Sequence, residues 1–195
     1  MRTIFSLLLL FGYVQSLQVT SNPPLIDVPT YSLATRGDDG ETGMNILTYA
    51  TPISISPDRI WSLGLYKGTV SHENFSKRGE GVLQLLSPKH AKVVKLLGGS
   101  SGRDVDKKNE CSKIGMSWIS SEEDLPDLLP DCSHYLQISR VGELIDCGSH
   151  EIAICKVVSM FVPKDTDEIS VRKPNLNTGQ LRELGIITEQ GRIAT

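Results

Sequence analysis

The sequence predicts a mainly β domain, a small closed barrel of six antiparallel strands with a few short helices. Three observations predict it. Six runs of strand length are rich in apolar residues, and Ile53-Ser54-Ile55-Ser56 alternates at the strand period. Most of these runs follow one another across turns rather than across a crossover helix, which favours antiparallel pairing over a parallel α/β sheet. The composition of the 195 residues, 39% hydrophobic and 22% charged, is that of an ordinary globular chain and excludes a disordered or collagen-like one.

Taken in order, the first element is a targeting segment. Arg2 precedes an apolar run from Ile4 to Val14, and Val14 and Ser16 fit the small-residue positions before a cleavage point. The run is too short to span a bilayer, so residues 1–16 are expected to be a secretory signal peptide and the mature chain to begin near Leu17. Residues 17–40 hold many Ser, Thr and Pro and read as a linker. In an alga with secondary plastids the same stretch serves equally as a transit segment. The expected destination is accordingly the ER or the exterior or, in an alga with secondary plastids, a plastid. No second apolar run reaches membrane-spanning length, and no membrane association is expected of the mature chain.

The domain itself is expected over residues 41–195. The turn cluster Gly37-Asp38-Asp39-Gly40 opens it. Strands are expected over 45–56, 60–66, 81–86, 135–141, 142–146 and 151–162, with Pro57-Asp58 and Gly148-Ser149 as turns. Residues 71–77 read as one or two helical turns. Ser87 caps a clearer helix, with Pro88 in its first turn, an apolar stripe through Ala91, Val94 and Leu97, and Gly98 as its stop. Residues 98–131 read mostly as loop. Thr178 caps a last helix that ends at Gly185.

Several chemistries are excluded. Twenty basic against 23 acidic residues give a net charge of −3, with no surplus to neutralise nucleic-acid phosphates. There is no phosphate loop of the Gly-x-x-x-x-Gly-Lys type and no His-Glu-x-x-His. Gly98-Gly99-Ser100-Ser101-Gly102 follows a helix, the wrong context for a dinucleotide fingerprint. Cys111, Cys132, Cys147 and Cys155 form no Cys-x-x-Cys pair, so no metal site is expected. Their spacing leaves buried thiols and disulfides both open.

Two segments carry chemistry. Residues 45–54 place an amide and several hydroxyls along one strand. Lys67-Gly68-Thr69-Val70-Ser71-His72-Glu73-Asn74 takes a strand through a Gly turn into a helix start. Backbone N–H groups there, with the Thr69 and Ser71 hydroxyls and the Lys67 ammonium, suit an anion.

These segments, in this order, resemble the flavin reductase-like family of FMN-binding split β-barrels, which are six-stranded, antiparallel and of Greek-key type. The resemblance rests on Asn45-x-x-Thr48, Ser54-x-x-Pro57 and Lys67-Gly68-Thr69-x-Ser71-x-x-Asn74. It is supported by the loop Ser101–Lys107, by Gly148-Ser149-His150-x-Ile152, which is similar to the family's Gly-Asp-His turn, and by Leu181-Arg182-Glu183-x-Gly185-Ile186-Ile187. It implies FMN contacts from Asn45, Thr48, Tyr49, Ala50 and Thr51 on the first strand. It implies phosphate contacts from Lys67, Gly68, Thr69 and Ser71, with His72 and Asn74 at their edge. His150 becomes the catalytic candidate, in contact with nicotinamide, substrate or the flavin edge. Asp58, Gln84 and Ser149 depart from residues common in the family, and Ser149 replaces the carboxylate that would hold His150. The function implied is an NAD(P)H-dependent flavin reductase that passes electrons to a small-molecule redox substrate. The alternative is a split-barrel module that holds flavin or haem without turnover. A homodimer is implied, because such barrels bind FMN between two copies.

Overall fold

The computed structural model describes residues 20–21, 24–120, 125–163 and 174–194. The expected signal peptide, residues 1–16, lies outside these residues.

The molecule is a curled antiparallel sheet with helices packed on it. Eight strands occur among the described residues: β1 (Tyr31–Arg36), β2 (Thr42–Leu47), β3 (Ala50–Ser54), β4 (Ile60–Tyr66), β5 (Glu80–Leu85), β6 (His134–Arg140), β7 (Ile145–Cys147) and β8 (His150–Phe161). Their spatial order is β2-β1-β5-β6-β8-β4-β3, with the short β7 hairpinned onto β8. The helices are α1 (Val70–Arg78), α2 (Ala91–Gly99), α3 (Lys107–Lys113) and α4 (Thr178–Glu183).

The mainly β, antiparallel expectation holds, but the barrel is open rather than closed, because β2 and β3 end the sheet without pairing to each other, and two strands add to the count. The strand expected over 45–56 is two strands, because the chain breaks at Thr48-Tyr49. There Gly64 N–H donates to the Tyr49 carbonyl at 2.7 Å, and a side chain at Gly64 would meet Tyr49 Cβ at 3.0 Å. The other addition is β1, which corrects the linker assignment of residues 17–40 over its own six residues. It is a buried strand between β2 and β5, and Gly37–Gly40 is its hairpin turn rather than the start of the domain. Its alternation is real: Tyr31 and Leu33 face one core cluster and Ala34 the other. Polar partners satisfy most of the buried hydroxyls nearby. Thr35 Oγ1 donates to the Gly43 carbonyl, and Gln84 Nε2 lies 3.4 Å from Ser32 Oγ.

The two core clusters lie on opposite faces of the sheet. One fills the concave side with Leu33, Leu63, Leu65, Leu83, Ile138 and Ala153, closed by Phe75 of α1. The other lies between the sheet and the outer helices, joining Ala34, Met44 and Val82 to Val93, Val94 and Leu97 of α2, Cys111 of α3 and Leu181 of α4. All four cysteines are free. Cys111, Cys132 and Cys155 are buried and Cys147 is exposed. Burial pushes the Cys155 thiol up to about 12, so it acts as a small apolar side chain.

The loop expected over 98–131 contains α3. Its N-cap Asp106 accepts from Asn109 N–H. Lys107 is buried and donates to the carbonyls of Met44 (3.0 Å) and Leu97 (2.6 Å), fastening β2 to α2. Burial lowers its pKa to about 8. Asn177 rather than Thr178 caps α4, with its side chain accepting from Gln180 N–H.

Candidate functional site

The site is built where β4 ends. Gly68, at φ 81°, takes the left-handed turn that a side chain would strain, and Thr69 then caps α1. Thr69 Oγ1 accepts from His72 N–H at 3.2 Å, and Glu73 N–H donates to the Thr69 carbonyl. The amides of Val70 and Ser71, first in the helix, have no acceptor within it. The macrodipole and these donors favour an anion at this point. The Ser71 side chain is packed beside them, in a residue only 3% exposed. Arg103 folds across the same turn, donating to the Gly68 carbonyl at 3.0 Å and pairing with Glu73, which neutralises the carboxylate nearest the helix start.

A cavity of about 680 Å³ opens beside this turn. Its walls include Asn45, Thr48 and Tyr49, then Tyr66, Thr69, Ser71 and His72, and finally Ser149 and His150. It adjoins a second cleft of about 920 Å³ that shares Asn45, Tyr66, Thr69 and Ser71 and continues past Gly68 and Asn74. Sequence reasoning thus named residues from three distant segments that the fold brings together.

Three expected contacts do not line either cavity: Ala50, Thr51 and Lys67. Ala50 and Thr51 lie in β3, beyond the break that turns the strand at Tyr49. The Lys67 ammonium pairs instead with Asp146 at 2.8 Å, and Lys67 N–H donates to the Ser149 carbonyl. Lys67 therefore ties the β4–α1 turn to the β7–β8 hairpin. Asn74 lines the second cleft, where its amide lies 3.4 Å from Thr35 Oγ1.

His150 follows the Gly148-Ser149 turn, with Gly148 at φ 79°. Its ring stands edge-on between Tyr49 and Tyr66, with both centroids at 5.2 Å. Ser149 Oγ lies 2.9 Å from Nδ1, so a hydroxyl occupies the position of the expected carboxylate. Burial lowers the pKa of His150, which favours the neutral ring. His72 Nε2 lies 2.7 Å from Glu151 Oε2, while its buried Nδ1 has no partner among the described residues.

Sequence reasoning missed Tyr66, Glu151 and the segment 188–193, all of which shape the cavity or hold its walls. Tyr66 was legible as the last residue of an expected strand. Glu151 finds His72 only through the pairing of β4 with β8.

The comparisons with known proteins bear on the family and the fold. A family model described as the flavin reductase like domain matches residues 18–178. The chain belongs to that family. Among solved structures, flavoredoxin from Methanosarcina acetivorans is 15% identical, with a TM-score of 0.66, over 82% of this chain and 81% of its own. An NADH:FAD oxidoreductase from Streptomyces globisporus is 17% identical, with a TM-score of 0.59, over 71% and 77%. An FMN-binding protein from Thermus thermophilus is 15% identical, with a TM-score of 0.62, over 77% and 83%. At these identities the likeness is one of fold. No curated protein matches the chain.

Proposed function

We propose that this protein is an FMN-binding oxidoreductase that takes electrons from NAD(P)H and passes them to a small-molecule redox acceptor. The carrying observation is the convergence on one cavity of the start of α1, with its amides and the Ser71 hydroxyl, and of His150 between two tyrosines. The size of the cavity fits a nucleotide-sized ligand. The donor set fits the group as well: the helix start suits the phosphate, and Asn45 and Thr48 offer polar contacts to a ring.

When bound, FMN would supply hydride acceptance at N5 and onward electron delivery. The residues of this chain do the rest. The amides of Val70 and Ser71 and the Ser71 hydroxyl hold the phosphate. Leu33, Leu47 and Leu65 give the cavity an apolar floor. His150, neutral and braced by Ser149, Tyr49 and Tyr66, presents a fixed polar edge to the nicotinamide or the acceptor.

The working unit is proposed to be a homodimer. Exposed apolar side chains concentrate on the edge strand β3 and its flanks (Tyr49, Ile53, Ile55) and at the end of β8 (Val158, Met160, Phe161). Light scattering of flavin-loaded protein should give twice the mass of one chain, and the mass of a single chain contradicts the dimer.

Anaerobic mixing of the FMN-loaded protein with NADH and with NADPH tests the activity. Bleaching of the flavin absorbance within seconds by either donor is expected. Tight FMN binding with no bleaching by either would make the protein a flavin-holding module instead.

A further inference from the structure

Beyond α4 the chain forms a strap over residues 186–194. Ile187 bridges Ile193, Thr188 N–H donates to the Arg192 carbonyl, and Ala194 N–H donates to the Ile186 carbonyl. This strap lies outside the family match, which stops at residue 178. It is seated by a pair of glycines at the end of α2. A Cβ on Gly99 would stand 3.1 Å from Ile193 Cγ2, and one on Gly98 would stand 3.3 Å from Ile193 Cδ1. Two consecutive small residues there leave the space that Ile193 fills.

The strap carries Gln190, Gly191 and Arg192 to the wall of the 680 Å³ cavity. Arg192 is the one arginine or lysine among the residues lining that cavity. It forms no ion pair among the described residues. The other basic residues near the α1 turn are engaged: Lys67 by Asp146 and Arg103 by Glu73. A doubly charged phosphate at the α1 start would thus meet helix amides and hydroxyls, but no lysine or arginine from the turn itself.

We propose that the strap is a ligand clamp, and that Arg192 supplies the cation for the phosphate of the flavin nucleotide. A guanidinium is suited to this, since its planar fork matches phosphate oxygens and its charge does not titrate. The inference rests on the flavin reading above. It adds that nucleotide flavins are selected over riboflavin by a residue beyond the span of the family match.

The test compares FMN and riboflavin binding to the full chain by flavin fluorescence, in wild type, Arg192→Gln and Arg192→Lys. Arg192→Gln is expected to weaken FMN binding about tenfold or more, leave riboflavin within about twofold, and be partly rescued by Arg192→Lys. The FMN effect should shrink as salt rises. Because Arg192 is exposed, the variants should fold normally, and a circular dichroism melt checks this. Unchanged FMN affinity in folded Arg192→Gln, or equal losses for FMN and riboflavin, overturns the clamp while the flavin reading stands. If the wild type binds neither flavin, both fall. A second variant, Gly99→Val, should unseat Ile193 and reproduce the FMN-selective loss. If Gly99→Val binds FMN as the wild type does, the seating of the strap has no part in selection.

Discussion

Two turns in this chain share one local pattern, a hydroxyl residue followed three positions later by histidine, and they end in opposite roles. At Ser87–His90 the histidine is fully buried. Ser87 N–H donates to its Nδ1 at 3.0 Å, which fixes Nε2–H as the donor to the Pro130 carbonyl at 2.7 Å. The turn is closed by its own chain and locks the entrance of α2 onto the loop before β6. At Thr69–His72 the cap is also made, but His72 reaches across to Glu151 on β8, its Nδ1 is unpartnered, and the helix start borders a cavity. The motif sets the cap in both places. What lies opposite decides whether the turn becomes a lock or a site.

The largest expected effect in this comparison is on the lock. His90→Ala removes a buried ring and leaves the Ser87 N–H and the Pro130 carbonyl without it, at a cost of about 3 kcal/mol. Urea unfolding measures this, and FMN affinity of the folded variant should be unchanged. A His90→Ala protein as stable as wild type would mean that the turn is not a lock. His72→Ala should reverse the pattern, with about 1 kcal/mol of stability lost along with the partly exposed Glu151 pair and a clear loss of flavin affinity. Equal flavin binding in His72→Ala would remove His72 from the site.

The smallest effect is a dependence on pH. Burial lowers the pKa of His90 below its ordinary 6.5, against the opposing pull of its backbone partners. The unfolded chain therefore binds a proton more readily than the folded one. The contribution of His90 to stability is complete above about pH 6.5 and is lost as the pH falls toward the lowered native value. His150 is shifted in the same direction by burial and adds to the slope. Thermal melts between pH 7.5 and 5, two values on either side of about 6.5, should show a falling midpoint that is shallower in His90→Gln. Identical slopes would assign the acid loss to other groups.

Elements whose pattern is carried by large apolar residues were legible in the sequence. Ile60–Tyr66 alternates plainly, Gly148 marks its hairpin, and Val94 and Leu97 define α2. The misses have physical reasons. β1 buries Ser32, Ala34 and Thr35 as well as Tyr31 and Leu33, and a run of small and hydroxyl residues beside prolines reads as linker. α3 buries only Lys107 and Cys111, too little for an apolar stripe. Gly98 reads as a helix stop, and α2 ends one residue later, at Gly99, where the two glycines leave room for Ile193. Lys67 looked free for a phosphate because Asp146 is brought to it only by tertiary pairing. Local sequence shows which groups exist at a site. It does not show which of them another segment has already engaged.

The central claim is that the start of α1 holds the phosphate of a flavin nucleotide, and Ser71→Asp tests it most directly. The substitution sets a carboxylate against the phosphate in a residue only 3% exposed, where the unpaired amides of the helix start can receive the charge, and a circular dichroism melt checks that the variant folds. Titrations followed by flavin fluorescence are predicted to show FMN affinity falling by about two orders of magnitude, roughly 2.7 kcal/mol, with riboflavin affinity little changed. A folded Ser71→Asp protein that binds FMN as tightly as wild type would contradict the account.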